Sequence, residues 1–253
     1  MSEAQSDQAH EARKAINPGF DLTDDLQLRL SRLDLLETVQ HVQEYGFGYI
    51  HDPTPIEFNE RLREVALKIF AAKRGTNVLL DKDPIFEEVV LNPKLLAIVE
   101  VMCGQGALLS QYTLSVRGKG ARALPLHADQ NWTPAPFPEA NQLVTFCWAC
   151  DEFSTAGGST MVVPKTHVKK RHPDPRETKQ AQGAIALECP AGTVTFWDGS
   201  VWHGNWPRTI DGKRVVLHIT FTRSYLRQLE NYHHLDEAWL QTRPPEMRVM
   251  LGR

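Results

Sequence analysis

Four residues of this chain have the types and the order that a catalytic metal site would need. His127 and Asp129 form a His-x-Asp pair, His203 follows far along the chain, and Arg214 lies eleven residues after His203. Two neutral imidazoles and one carboxylate can hold one face of a six-coordinate Fe(II) and leave the opposite face open. An arginine beside such a metal can bind a carboxylate through two parallel hydrogen bonds. The set therefore predicts a metal site with a fixed cation for an anionic co-substrate.

The chemistry of that set favours iron, but other interpretations stay open on residue type alone. Two histidines and one carboxylate leave up to three positions on Fe(II), of which a 2-oxo acid can take two and dioxygen the third. Zinc also accepts His and Asp ligands, which would suit a hydrolase. A His-x-Asp pair taken alone is more often a surface pair in a chain with ten histidines. A non-catalytic small-molecule binding module is the third alternative.

Composition sets the outer bounds on function. The chain has 253 residues, 23% of them charged, and a formal net charge of −3, which suits one globular domain. This charge gives no electrostatic case for nucleic acid. No apolar run reaches the roughly 18 residues needed to span a bilayer. The polar start, Met1 to Lys14, resembles neither a secretion signal nor a transit peptide, so we expect a cytoplasmic protein without a membrane partner.

Hydrophobic periodicity predicts helices first and strands afterwards. Helical spacing covers Asp24–Tyr45, Pro55–Lys73 and Lys94–Met102. Alternating apolar runs bounded by Gly, Pro and Asp turns then predict strands. These strands are Ala107–Val116, Leu124–Ala128, Leu143–Cys150, Thr160–Val163, Ala184–Leu187, Thr193–Trp197 and Val215–Thr222. The order predicts an α+β protein with a mainly β core, built as an antiparallel sandwich or small barrel such as a jelly roll.

The predicted strands also decide how two functional motifs are interpreted. His127 and Asp129 are two residues apart, so on extended backbone their side chains leave the same face. His203 follows the Thr193–Trp197 strand in a segment that we interpret as a turn. Cys147 and Cys150 form a C-x-x-C pair, but three residues apart on a strand they face opposite sides. We therefore expect buried free thiols there rather than a metal or redox pair.

The segments that carry these residues resemble the phytanoyl-CoA dioxygenase family of Fe(II)/2-oxoglutarate-dependent oxygenases. The resemblance covers roughly Leu26 to Gly252, nearly the whole chain. Its matching segments are Val42–Ile50, Asp83–Phe86, Asn92–Gly104, Leu126–Trp132, Gly157–His167 and Gly192–Gly204, followed by Arg214 at the family's position eleven after the second histidine. Lys165-Thr166 departs from the usual Gly-Ser before His167, and Asn205 replaces the Ser or Thr that many relatives have.

The resemblance implies a double-stranded β-helix, a jelly-roll or cupin-like core, with N-terminal helices packed on the sheet. It implies Fe(II) bound by His127, Asp129 and His203, with 2-oxoglutarate and O2 as co-substrates. Arg214 would bind the distal carboxylate of 2-oxoglutarate, and Gln111 matches a position that often helps to hold it. The implied reaction hydroxylates an unactivated C–H bond with release of succinate and CO2. Desaturation, epimerisation and cyclisation are alternative outcomes, whereas halogenation conflicts with the presence of Asp129.

The sequence also predicts a domain organisation and candidate residues for the substrate pocket. We expect a mobile segment at 1–20 and one oxygenase domain at 21–253, with a helical lead-in at 21–105, the β core at 106–225 and an extension at 226–253. That extension would cap the site or form a homodimer contact. Trp132 and Trp202 are candidate walls for a small-molecule substrate, although ordinary core packing is equally consistent. The basic run Lys165–Arg176 would meet an anionic substrate or form a solvated loop.

Overall fold

Two antiparallel sheets form the centre of the computed structural model, which describes residues 23–253; the segment 1–20 lies outside the described residues. The strands are β1 (Phe47–Ile50), β2 (Leu108–Gly118), β3 (Leu124–His127), β4 (Leu143–Ala149), β5 (Thr160–Val163), β6 (Ile185–Ala186), β7 (Val194–Asp198), β8 (Trp202–Asn205) and β9 (Lys213–Thr222). The larger sheet has the order β1-β7-β4-β9-β2, and the smaller has the order β3-β8-β5-β6. Every strand pair is antiparallel. The predicted strand-rich α+β architecture is confirmed.

Helices precede and follow the run of strands, and one short helix lies between β5 and β6. They are α1 (Asp24–Arg32), α2 (Leu36–Tyr45), α3 (Ile56–Ala71), α4 (Pro84–Val90), α5 (Pro93–Cys103), α6 (Pro175–Gln180), α7 (Glu237–Gln241) and α8 (Pro245–Met250). The prediction of one helix over Asp24–Tyr45 is wrong. Asp34 has φ 56°, in the left-handed region, and the backbone N–H of Leu35 donates to the carbonyl oxygen of Leu30, which ends α1 before α2 begins.

The two faces of the larger sheet have different partners because side chains alternate along each strand. Phe146 and Ile219 point outward into the main core, which they share with residues of α1 to α5, α7 and α8. Cys147 and Val216 point inward and pack with Val162 of the smaller sheet. The helices therefore cover one face of the sheet, and the interior between the two sheets is left for a site.

The cysteines follow the same alternation. Cys147 belongs to the inward cluster and Cys150 to the outward one, as the strand pattern predicts. All four cysteines are buried and free.

One strand differs from the sequence prediction in a way that matters for the site. The segment holding His203 is strand β8 rather than a turn, and β8 pairs with β3 so that His203 lies opposite His127. Gly204 permits this close pairing, because a Cβ there would collide with the carbonyl oxygen of Leu124. Strand β1 joins the larger sheet as an edge strand beside β7, in agreement with the short strand that the sequence predicts at Tyr49-Ile50.

Within residues 23–253, no helix combines the length and apolar character required to cross a bilayer.

Candidate metal centre

His127, Asp129 and His203 converge on one point at the end of the smaller sheet. One ligand atom from each lies within 4.8 Å of the other two. Asp129 Oδ1 is 3.3 Å from His203 Nε2 and 3.7 Å from His127 Nε2. The pairing of β3 with β8 brings the two histidines together, and the residues just past β3 place the carboxylate between them. The structure thus brings together the three ligands that the sequence predicts.

Both imidazole rings are held in the orientation that a metal requires. Nδ1 of His127 lies 3.0 Å from the carbonyl oxygen of Pro125, and Nδ1 of His203 lies 3.1 Å from that of Val201. A neutral ring that donates its Nδ1–H to a carbonyl keeps the Nε2 lone pair for a metal. The same contact, to the residue two positions earlier, therefore directs both Nε2 atoms toward Asp129.

The two oxygens of the Asp129 carboxylate have different contacts. Its Oδ2 accepts hydrogen bonds from Thr145 Oγ1 at 2.9 Å and from Trp197 Nε1 at 3.1 Å. Thr145 Oγ1 lies 3.1 Å from Thr220 Oγ1, which extends the chain of hydroxyls onto β9. Because Oδ2 has two donors, Oδ1 is left to face the histidines as a single ligand atom.

The charges of the site suit metal binding. Burial alone would raise the pKa of Asp129, but the charge and hydrogen bond of His203 outweigh it and hold that pKa well below its usual range. Burial lowers the pKa of His127. Burial would also lower the pKa of His203, but Asp129 outweighs it and raises that pKa. Asp129 is therefore ionised, so a cation held between the three side chains meets a negative charge.

Arg214 lies inside the protein rather than in solvent. Its side chain is 1% exposed, and its Nε and Nη1 find no hydrogen-bond partner among residues 23–253. Burial lowers the pKa of Arg214 to about 10, so the guanidinium stays charged at neutral pH. The guanidinium lies over the Phe153 ring, with Cζ 5.2 Å from the ring centroid, but no carboxylate of the described residues meets Nε or Nη1. A buried cation with such incomplete hydrogen bonding favours an anion beside it. The distal carboxylate of a 2-oxo diacid fits that requirement.

A cavity of about 880 Å³ opens from the metal centre between the sheets. Asp129, His127 and His203 form part of its floor, and Gln111 lies on its wall beside them. At its mouth lies Trp132, whose side chain is 74% exposed. Cavities of this size hold small organic molecules. Gln111 and Trp132 thus both line the cavity that contains the triad, and their roles toward co-substrate and substrate stay predictions.

The segment 226–233 after β9 closes one side of the cavity. Its backbone is fixed on β2, since the N–H of Glu230 donates to the carbonyl oxygen of Ser110 at 2.8 Å. The carboxylate of Glu230 accepts hydrogen bonds from the backbone N–H groups of Val78 and Tyr112 and from the hydroxyl of Tyr232. The C-terminal extension thus contributes a rigid wall, a role that the sequence left between a cap and a dimer contact.

Two other predicted candidates lie away from the cavity. Trp202 is on β8 beside His203 but faces the other way, where its Nε1 donates to the carbonyl oxygen of Arg171 at 2.8 Å. Trp202 does not line the cavity and packs with Ala128 and Phe137, so its core-packing interpretation fits the structure. In the basic run, Lys165 pairs with Glu44, while Lys169 and Arg171 pair with Glu177. These charges are neutralised on the protein surface.

Sequence reasoning missed the residues that support the ligands. Thr145, Trp197 and Thr220 lie on three neighbouring strands, and only the register of β4 with β7 and β9 brings them to Asp129. His218 was also missed, although it shares the inward face of β9 with Arg214 and lines the cavity. The alternation of Arg214, Val216, His218 and Thr220 along β9 is the signal that could have identified it.

Comparison with known proteins agrees with this geometry. The sequence profile described as phytanoyl-CoA dioxygenase (PhyH) matches residues 50–215, which include all three candidate ligands and Arg214. The chain belongs to the phytanoyl-CoA dioxygenase family. The family predicted from the sequence segments is thereby confirmed.

Individual relatives of the phytanoyl-CoA dioxygenase family are distant in sequence. An uncharacterized protein of Mycobacterium tuberculosis is 26% identical over 180 residues, which span 69% of this chain and 65% of that protein. Dioxygenase andF of Emericella variicolor is 25% identical over 233 residues, spanning 85% of this chain and 76% of that protein. The crystal structure of HygX from Streptomyces hygroscopicus with nickel and 2-oxoglutarate bound has a TM-score of 0.66 at 16% identity, and the match covers 76% of this chain and 88% of HygX. The likeness to HygX shows a shared fold.

The hydrogen bonds to Asp129 Oδ2 predict a measurable effect on metal affinity. A Thr145→Val variant keeps the shape of the side chain but removes one donor, so the carboxylate loses part of its orientation. We expect Fe(II) affinity to fall roughly 10- to 100-fold, the usual cost of losing an outer partner of a ligand. Anaerobic Fe(II) titration measures it. Thr195→Val is the matched control, because Thr195 is buried on β7 and its hydroxyl has no hydrogen-bond partner among the described residues; equal affinities in the two variants would contradict the role of Thr145.

Proposed function

We propose that this protein is an Fe(II)- and 2-oxoglutarate-dependent dioxygenase that hydroxylates an unactivated C–H bond of a small organic molecule. The observation that carries the proposal is the buried guanidinium of Arg214, whose Nε and Nη1 have no hydrogen-bond partner among the described residues, in the same interior as the triad. A metal site alone is consistent with several chemistries. A metal site together with a preformed anion site suits a co-substrate that is both chelating and anionic, and 2-oxoglutarate has both properties.

The residues of the chain have separate roles in this reaction. His127, Asp129 and His203 would hold Fe(II) on one side and leave its other side toward the cavity. When bound, Fe(II) with 2-oxoglutarate and O2 supplies the oxidation that converts a C–H bond to an alcohol and releases succinate and CO2. Arg214 would orient 2-oxoglutarate through its distal carboxylate, and Gln111 would support it from β2. The wall at 226–233, with Trp132 at the mouth, would position the substrate beside the metal.

The site gives less support to a zinc hydrolase. Such an enzyme usually needs a general base near the metal-bound water. Among the described residues that line the cavity, Glu230 is the one carboxylate besides Asp129. Both of its oxygens already accept hydrogen bonds from Val78, Tyr112 and Tyr232. Within residues 23–253, no side-chain carboxylate of the cavity lining is therefore free for that role, and a base would have to be a lining histidine such as His218.

The experiment that tests the proposal is release of succinate by purified protein. With Fe(II), ascorbate, 2-oxoglutarate and air we expect slow succinate formation alone and faster formation with a substrate, screened over acyl-CoAs, amino acids and terpenoid or polyketide acids. Replacing Fe(II) with Zn(II), or removing O2, should abolish it. Product analysis by mass spectrometry separates hydroxylation from desaturation, epimerisation or cyclisation. Protein that binds Fe(II) but forms no succinate under any of these conditions would support a binding module instead.

A further inference from the structure

His218 is a histidine in the cavity that the triad does not use. It lies on β9 between Arg214 and Thr220, and both His218 and Thr220 line the cavity. Alternation from the inward-facing Val216 places Arg214 on the same face of the strand. Thr220 belongs to the hydroxyl chain that ends at Asp129. His218 therefore stands between the anion site at Arg214 and the metal ligands, alongside the space that a bound 2-oxo diacid would fill.

The two nitrogens of His218 have different surroundings. Nδ1 lies 3.1 Å from Sγ of Cys147, its partner in the register between β4 and β9. Among the described residues, none forms a hydrogen bond with Nε2, although the ring lines the cavity. Nε2 is thus free to contact a ligand, while the position of the ring is fixed by the neighbouring strand.

Both members of this pair are neutral, and the tautomer in which the Cys147 thiol donates to Nδ1 makes His218 a donor at Nε2. Burial raises the pKa of the Cys147 thiol to about 12, so its S–H is retained. Burial, followed by the charge of Arg214, lowers the pKa of His218 to about 4, so the imidazole is neutral at physiological pH. A thiol that donates to Nδ1 leaves the hydrogen of the neutral ring on Nε2. An anion in the cavity would favour the same tautomer.

We propose that His218 is a positioning residue that donates a hydrogen bond from Nε2 to the distal carboxylate of 2-oxoglutarate, beside Arg214, and that Cys147 holds its ring in place. The inference rests on the proposed function, since it assumes that 2-oxoglutarate binds in this cavity. Arg214 supplies charge, whereas His218 supplies a directed neutral donor without adding a second buried cation. The pair would select a dicarboxylate over a 2-oxo acid with an apolar tail.

The test compares two ligands that differ only at the distal end. Anaerobic Fe(II)-loaded protein is titrated with 2-oxoglutarate and with 2-oxopentanoate, which has the same carbon chain without the distal carboxylate, and binding is read from the metal-to-ligand charge-transfer band. For His218→Phe we expect 2-oxoglutarate affinity to fall about tenfold, as for one lost hydrogen bond to a charged group. The affinity for 2-oxopentanoate should change less than about twofold. His218→Gln, which restores a neutral donor, should recover most of the loss.

Cys147 provides a matched pair of variants with Cys150. Both are buried thiols on or beside β4, but only Cys147 contacts His218. We expect Cys147→Ala to weaken 2-oxoglutarate binding and Cys150→Ala to leave it unchanged, with thermal unfolding of each variant recorded alongside.

Equal loss for both ligands in His218→Phe would show a purely structural role and overturn the inference. Wild-type affinity for 2-oxoglutarate in that variant would overturn it as well. Failure of the Fe(II)-loaded wild-type protein to bind 2-oxoglutarate would instead overturn the proposed function.

Discussion

An Asp129→Ala variant is expected to lose Fe(II) binding and 2-oxoglutarate turnover together. Asp129 contributes the only negative charge of the triad, and its Oδ1 lies within 3.7 Å of both histidine Nε2 atoms. Without it, two neutral imidazoles remain to hold a hydrated divalent cation. The loss should exceed the roughly 10- to 100-fold that follows removal of an outer partner of a ligand. Anaerobic Fe(II) titration and succinate release measure the two effects separately.

The control for this variant is another aspartate whose removal leaves the site intact. Asp211 is an exposed partner of Lys119 on the surface, so Asp211→Ala should bind Fe(II) and form succinate like the wild type. Its ion pair is solvent-exposed and contributes little to stability. Wild-type succinate release by Asp129→Ala would contradict the assignment of the triad. Asp129 also accepts hydrogen bonds from Thr145 and Trp197, so its removal can destabilise the fold. Thermal unfolding of the variant therefore shows whether Fe(II) binding is lost from a folded protein or because the protein has unfolded.

The three candidate metal ligands could be predicted from the sequence because their residue types and local spacing are sufficient to indicate metal binding. A His-x-Asp pair on extended backbone must present both groups on one side, and the structure places His127 and Asp129 together. The groups that orient them could not be predicted in the same way. Thr145 and Trp197 become neighbours of Asp129 only through the register of separate strands, and a buried Thr or Trp resembles ordinary core residues.

The errors in the fold have local physical causes. Apolar residues keep nearly helical spacing across Asp24–Tyr45, and a single left-handed residue, Asp34, breaks the helix without disturbing that pattern. Strand β8 was missed because Trp202–Asn205 is short and contains a glycine, which is unfavourable in most strands. Here Gly204 is required for the close approach of β3, so the feature that argued against a strand is what allows the pairing.

Arg214→Met is expected to weaken 2-oxoglutarate binding strongly while leaving Fe(II) binding intact. Truncating one partner of a buried charge pair typically costs about 2–5 kcal/mol, on the order of 30- to 4000-fold in affinity. Fe(II) affinity should stay near the wild-type value, because the triad is built from β3, β8 and Asp129, the second residue after β3. Calorimetric titration of the metal-loaded protein measures both constants. Lys213→Met is the matched control, since it removes the adjacent, exposed cation of the same strand.

The Arg214→Met variant also distinguishes an effect on 2-oxoglutarate binding from an effect on the stability of the fold. Because Nε and Nη1 of Arg214 have no hydrogen-bond partner among the described residues, the ligand-free protein carries a buried charge that the contact with the Phe153 ring partly compensates. Replacing it with an apolar side chain of similar length should leave the melting temperature of the ligand-free protein unchanged or raise it. In wild-type protein, 2-oxoglutarate should raise that temperature as its concentration exceeds the dissociation constant, and the variant should lose this gain. A variant that is less stable without ligand would mean that Arg214 supports the fold, and that its guanidinium is not an anion site.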